Sequence, residues 1–350
     1  MDKQKLTQLS DLGEFKLIDL LTSKNITYNN STKKSVGDDC AVIKFEGDEM
    51  TVVTNDLLVE GIHFDLSYVP LKYLGYKAVA VNISDIYAMN AKPQQILVSF
   101  AVSNRFSYEA LDLLYEGIYQ ACKNYKVDLV GGDVTTSKLG MFISITAIGK
   151  VKNEKIAYRN GAKPDDLICV SGHLGAAYMG LQLLLREKTV AIETNQQPNW
   201  TGYEYILQRQ LKPEPRADII DFFEQNNIVP NSMIDISDGL SSEILHICKN
   251  SGCGAIIFEE HLPIDVSTNN LAIEMNIGPT TAAMNGGEDY ELLFSVDPKY
   301  RQILEQNESI SIIGNITNKK GQVDLIARDG TSFPIIAQGW NSFYDNNENN

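Results

Sequence analysis

The chain reads as apolar runs alternating with amphipathic stretches. Residues 10–22 carry Leu12, Phe15, Leu17, Ile18 and Leu21 on one side of a helical repeat, with Ser10 or Asp11 placed to cap it. Residues 29–36 are polar and read as a loop. Two apolar runs, 41–45 and 50–54, flank a turn rich in Gly and acids and predict a hairpin. A small, apolar pattern from about 70 to 89 predicts a helix that stops before Asn90-Ala91-Lys92-Pro93. Beyond it, 95–102 predicts a strand and 108–125 an amphipathic helix. Residues 127–130 predict a short buried strand entering Gly131-Gly132-Asp133, and 141–151 a further strand. The first half is therefore β-β-α-β-α-β-β.

The turn-rich segment 152–166, with Arg159-Asn160-Gly161 and Pro164-Asp165-Asp166, marks a domain boundary. After it come a strand at 167–171, a glycine turn at 172–175 and a helix at 176–186. Residues 187–200 read as a polar surface excursion. Helices follow at 203–211 and 215–226, a strand at 233–236 and a helix at 238–250. Strands then fall near 254–258, 290–296, 309–316 and 323–327. Helices and strands alternate in both halves, so the fold class is α/β or α+β with two domains. The division is 1–151, 152–345 and a short disordered tail, 346–350.

Composition narrows the function. At 350 residues the chain exceeds the size at which one core stops growing. Its net charge of −15 disfavours nucleic-acid binding, for no basic patch is present to neutralise phosphates. The five cysteines form no CxxC pair, and their scatter suits a reducing compartment. The start of the chain is too polar for a signal peptide and no apolar run approaches about 18 residues, so the expectation is a cytoplasmic protein that crosses no membrane.

Candidate chemistry lies in acids at strand ends. Asp38, Asp39 and Asp56 gather at one end of the predicted hairpin, where their mutual repulsion calls for a cation or a proton. Asp133, Asp235, Asp238 and Glu288 occupy comparable places, and Asp85 sits within a helix of low polarity. Taken singly, each acid is equally a cap or a turn residue. Together they occupy the places where α/β proteins hold ligands. Neither GxxxxGK[ST] nor a GxGxxG opening a helix is present, so any nucleotide must be held by metal ions and backbone amides. Arg159 is either a phosphate contact or a surface arginine, and His63 a substrate contact or a surface histidine. Trp340 either stacks on a ligand ring or covers an apolar edge.

Seven segments occur in one order along the chain: GDDCAVI, TNDLLVEGIHF, NISDIYAMNAKP, GGDVT, YRNGAKPDD, DISDGL and GGEDYELLF. This series resembles the thiamine-monophosphate kinases, relatives of aminoimidazole ribonucleotide synthetase and selenophosphate synthetase. The resemblance runs over roughly residues 12 to 344. It implies an N-terminal domain whose sheets join into a barrel across a homodimer and a C-terminal α/β domain that closes over the ligands. The implied reaction is ATP-dependent phosphorylation of thiamine monophosphate with several Mg²⁺ ions. By position, Asp39, Thr54, Asn55, Asp56, Asp85, Asp133, Asp235 and Asp238 match metal-binding places. Tyr115, Gly132, Asp133, Arg159 and Ser237 match nucleotide contacts, and His63, Glu288 and Trp340 match substrate contacts. The family usually has Ser/Thr-Thr-Asp where this chain has Thr54-Asn55-Asp56, so Asn55 departs from the Thr usual at its position. No residue is assigned as a general base, because the attacking phosphate oxygen is already ionised. Two rival readings remain: another ATP-using relative that activates an amide oxygen, and a non-catalytic Mg-nucleotide sensor.

Overall fold

A computed structural model describes residues 30–35, 37–45, 47–198 and 200–337. The expected helix at 10–22, Trp340 and the tail at 346–350 lie outside them. The fold is mixed α/β, built on two sheets.

The first sheet holds β1 (Thr32–Lys34), β2 (Ala41–Ile43), β3 (Glu49–Val59), β4 (Lys92–Val102), β5 (Asp128–Thr136) and β6 (Phe142–Lys152), in the order β1-β2-β3-β6-β4-β5. The stretch 29–36 is thus not all loop. Thr32 and Lys34 pair with Ile43 and Val42, a backbone pairing that polar side chains do not announce. β2 and β3 form the expected hairpin. β3 runs further than its apolar residues suggest, because β6 pairs it from Glu49–Lys152 to Val59–Phe142. Asn55 and Asp56 therefore lie inside the strand, not after it.

The second sheet holds β7 (Leu167–Ser171), β8 (Ser232–Asp235), β9 (Gly254–Phe258), β10 (Leu292–Val296), β11 (Ile310–Thr317), β12 (Val323–Ile326) and β13 (Ser332–Pro334), in the order β13-β12-β9-β11-β7-β10-β8. Its pairs are antiparallel except β9 with β12.

Two helices of the first half, α1 (Leu71–Ala88) and α2 (Tyr108–Tyr125), pack on each other, and α1 also lies on β3, β4 and β6. α2 matches its amphipathic pattern, with Ser107 capping it by accepting from the Ala110 amide. α1 is different, being buried almost all round from Leu74 to Ala88. A helix with no polar face needs cover on every side, and β8 of the second sheet supplies the remaining side. One core accordingly runs from Val52 and Ile145 through α1 to Met233 and Phe294.

The other helices are α3 (Ala176–Thr194), α4 (Glu204–Leu211), α5 (Ala217–Gln225), α6 (Leu240–Ser251), α7 (Val266–Glu274), α8 (Pro279–Asn285) and the short α9 (Arg301–Leu304). α3 absorbs half of the expected excursion at 187–200. No helix among the described residues is long and apolar enough to cross a membrane. The expected buried strand at 127–130 is overturned. β5 is solvent-exposed along almost its whole length, with Val130 and Val134 56% and 61% exposed, because it is the last strand of its sheet and pairs only with β4.

Candidate active site

Strand alternation sorts the acids of β3. Thr54 and Asp56 point to the face covered by α1, and Asn55 points to the other. The C-terminal half of α1 brings Asn82, Ser84 and Asp85 against this face. The Asp56 amide donates to Asn82 Oδ1 at 3.0 Å, and Thr54 Oγ1 donates to Asp85 Oδ2 at 2.5 Å. Ser84 Oγ reaches across to the second sheet and donates to Asp235 Oδ2 at 2.6 Å. Asp39 enters from the turn before β2, its two oxygens held by Nε and Nη2 of Arg159, each at 2.9 Å. Arg159 thus grips a carboxylate of the site itself.

The result is a triad. Asp39, Asp85 and Asp235 each present an oxygen within 4.8 Å of the others. Burial, reinforced by neighbouring acids, pushes Asp85 and Asp235 well above the carboxylate range. Burial, then Asp39, raises Asp38 to about 6. Three converging carboxylates with a single arginine among them remain short of positive charge. Asp39, Asp85, Asp235 and the adjacent Thr54 hydroxyl form an all-oxygen donor set that suits a hard divalent cation.

Two loops of the second sheet close the far side. The Ser237 carbonyl accepts from the Glu288 amide at 2.7 Å, and the Ile236 carbonyl from the Tyr290 amide at 2.9 Å. Contact this close explains Gly287, where a Cβ would overlap the Ser237 carbonyl. Glu288 and Tyr290 both adopt left-handed backbone, at φ +65° and +51°, conformations that persist only where surroundings enforce them. The buried Tyr290 phenol is raised well above its usual range by burial, then by Glu288, Asp56, Asp235 and Asp238. Asp238 is half-buried, and its amide donates to Glu243 Oε1. Glu288 is held by two groups that single-sequence reading missed: Lys77 Nζ at 2.9 Å from Oε1, and Gln210 Nε2 at 2.7 Å from Oε2. Lys77 stands alone among the apolar and small residues of 74–81, which is the signal the sequence offers. Next in the chain, Asp289 accepts from the Gly175 and Ala177 amides at the start of α3, and burial pushes it up to about 6.

Other expected residues are not brought together with these. Asn55 donates instead to Ser144 Oγ, the Ile145 carbonyl and Thr146 Oγ1 on the opposite face. Gly132 shares a lateral row with Asp56 through Ile145 and Val98, but three strands and about 14 Å away. It sits at φ +154° against β4, where a Cβ would overlap the Val98 carbonyl. Asp133, one residue on, is exposed and faces away from α1. Tyr115 lies on α2 beside Phe100 and Tyr119, with ring centroids 5.9 and 5.8 Å away. His63 is in an exposed turn, its Nδ1 accepting from the Val59 amide at 3.0 Å. Ser237 is exposed, two residues past Asp235 in the chain.

Residues 37–151, which carry the first sheet, match the family described as AIR synthase related protein, N-terminal domain. Fold and site thus define a protein of the AIR synthase-related class. The thiamine-monophosphate kinase of Bacillus subtilis is 32% identical over 340 residues, covering 95% of this chain and all of the relative. That of Aquifex aeolicus is 33% identical over 340 residues, covering 96% of this chain and likewise the whole relative. A solved complex described as AaThiL with AMPPCP and TMP superposes at a TM-score of 0.81 and 31% identity, covering 96% of this chain and 99% of that one. The chain belongs to the thiamine-monophosphate kinase family.

Proposed function

We propose that this chain catalyses ATP-dependent phosphorylation of thiamine monophosphate to thiamine diphosphate by direct in-line transfer. The observation that carries this reading is the convergence of Asp39, Asp85 and Asp235 in a member of that kinase family. In this reading residues 1–151 form a metal- and ATP-binding domain, and 152–345 a second domain that completes the site.

The obstacle to the reaction is repulsion between two phosphorylated anions. Mg²⁺, when bound, neutralises their charge and aligns them. Asp39, Asp56, Asp85 and Asp235 would hold it with Thr54, and Asp238 is a further candidate ligand, whereas Asp133, on the other face of β5, could serve only a separate ion. Arg159 fixes Asp39, and Ser84 fixes Asp235, so the carboxylates are set before substrates arrive. The acceptor phosphate oxygen is ionised at neutral pH, so no side chain need remove a proton and no covalent enzyme intermediate forms. Tyr115, Gly132, Arg159 and Ser237 are assigned to the nucleotide, and His63, Glu288 and Trp340 to the acceptor. Thiamine diphosphate, resolved chromatographically after incubation with ATP, Mg²⁺ and thiamine monophosphate, is the expected product. ADP formed only with a purine precursor as acceptor would overturn the reading.

Glu288 gives a sharper test. Lys77→Met removes its cation while the apolar stem still fills α1. The KM for thiamine monophosphate should rise about tenfold, with that for ATP changed less than about twofold. Equal shifts in both would deny Glu288 its acceptor role.

The exposed β5 edge and the face of the first sheet that no helix covers among the described residues support a homodimer that joins these sheets. Leu57, Val130 and Val134 are all more than half exposed there, an apolar edge that a monomer leaves open to uncontrolled pairing. Sedimentation should give twice the chain mass, and Val130→Asp with Val134→Asp should give monomers. A monomeric unsubstituted chain would contradict the dimer.

A further inference from the structure

A cavity of about 650 Å³ lies at the far end of the first sheet. It is lined by Glu60, by the 103–106 loop between β4 and α2, and by the 136–140 turn between β5 and β6. β4 and β5 are the parallel pair of this sheet, and ligands of α/β proteins gather beyond the carboxyl ends of such strands. The cavity is not part of the carboxylate site. Glu60 lies four residues past Asp56, about 13 Å along the strand direction.

Its lining is cationic in a chain of net charge −15. Arg105 and Lys138 both border it, with the hydroxyls of Ser103, Thr136 and Ser137. Of the seven arginines in the chain, Arg159, Arg186, Arg209, Arg216 and Arg301 hold carboxylates in ion pairs. Arg105 and Lys138 form none among the described residues. Glu60, the one carboxylate of the lining, instead accepts from the Met141 amide at 2.7 Å. Two cations that form no ion pair outnumber the one carboxylate of the lining, and this excess positive charge beside hydroxyl donors, in a cavity of ligand size, favours an anion. A guanidinium fork flanked by hydroxyl donors matches phosphate oxygens best.

We propose that this cavity binds a phosphate-bearing small molecule at Arg105 and Lys138, separately from the carboxylate site. Free pyrophosphate and the phosphates of a nucleotide share this chemistry. The test is calorimetric titration of the full chain with inorganic pyrophosphate and with ADP, both in EDTA. Without divalent cations the acid cluster repels both probes, and only binding that the Arg105→Ala, Lys138→Ala double variant loses is ascribed to the cavity.

Pyrophosphate should bind at one site per chain and weaken as salt rises. Arg105→Ala with Lys138→Ala should weaken it at least about tenfold, with circular dichroism and Mg²⁺-dependent turnover unchanged. ADP binding as well as pyrophosphate would identify a nucleotide phosphate as a natural occupant, and pyrophosphate alone a free anion. No binding by the unsubstituted chain, undiminished binding by the double variant, or ADP binding without pyrophosphate would each overturn the proposal. None of these outcomes depends on the kinase reading.

Discussion

Asp85→Asn should cost on the order of 10²–10³ in turnover and leave the fold intact or slightly more stable. Asp85 shares a 4.8 Å space with Asp39 and Asp235 and takes a hydrogen bond from Thr54. Its carboxylate form is held unfavourably, first by burial and then by Asp56, Asp235 and Asp39. An acid whose folded pKa is raised binds more protons in the folded chain than in the unfolded one. Its burden on stability is absent below the ordinary value of 3.8 and grows as pH rises from there towards the folded value. Asparagine keeps the shape and removes that burden. The metal-free variant should therefore melt above the parent at pH 8, by about 1 kcal/mol or roughly 2–4 °C, and together with it near pH 4. Thermal melts in EDTA beside a turnover assay decide this. Full activity, or a variant that melts well below its parent at pH 8, would sink the assignment of Asp85 as a ligand held ready for a cation.

Glu291→Ala should do the reverse, destabilising the chain by about 3–5 kcal/mol. Glu291 is as buried as any acid here, but it is paired. Its oxygens meet Arg209 at 2.8 Å and Arg216 at 2.7 Å, and Ser171 donates to it at 2.6 Å. Arg209 also donates to the Asp289 carbonyl at 2.9 Å, so the network anchors the loop that carries Glu288. Alanine would leave Arg216 with Asp218 as its remaining acid and Arg209 with the Asp289 carboxylate 3.9 Å away, whereas Glu291→Gln keeps hydrogen-bond acceptance and should lose markedly less. A melting temperature lowered by around 10 °C is expected for alanine. An alanine variant that melts with the parent would mean that the arginines find water or other partners. The two acids thus separate by their company: Glu291 is buried between two arginines and holds the fold, whereas Asp85 is buried among acids and is set for a cation.

Much of this was legible in the sequence. α2 could be placed from Ser107 and its amphipathic repeat, and β7 and β9 from apolar runs bounded by turns. The carboxylate triad was foreshadowed because Asp39 precedes an apolar run, Asp85 interrupts one and Asp235 lies at the end of one. Asn55 shows where motif matching loses to geometry. Met50, Val52 and Thr54 alternate inward, which places Asn55 outward whatever its neighbours imply. β5 was misread because an apolar run does not distinguish a covered strand from an exposed edge. Lys77 and Gln210 could not be assigned, since their partner Glu288 lies far along the chain and only the packing of α1 against the second sheet brings them together.

The central claim is transfer of a phosphoryl group from ATP to a phosphate acceptor. Its most direct test is to follow γ-³²P-labelled ATP with Mg²⁺ and thiamine monophosphate. The label should appear in the terminal phosphate of thiamine diphosphate in step with ADP, and should stay on ATP when thiamine or no acceptor is supplied. Label released as inorganic phosphate, with no thiamine diphosphate formed, would contradict it.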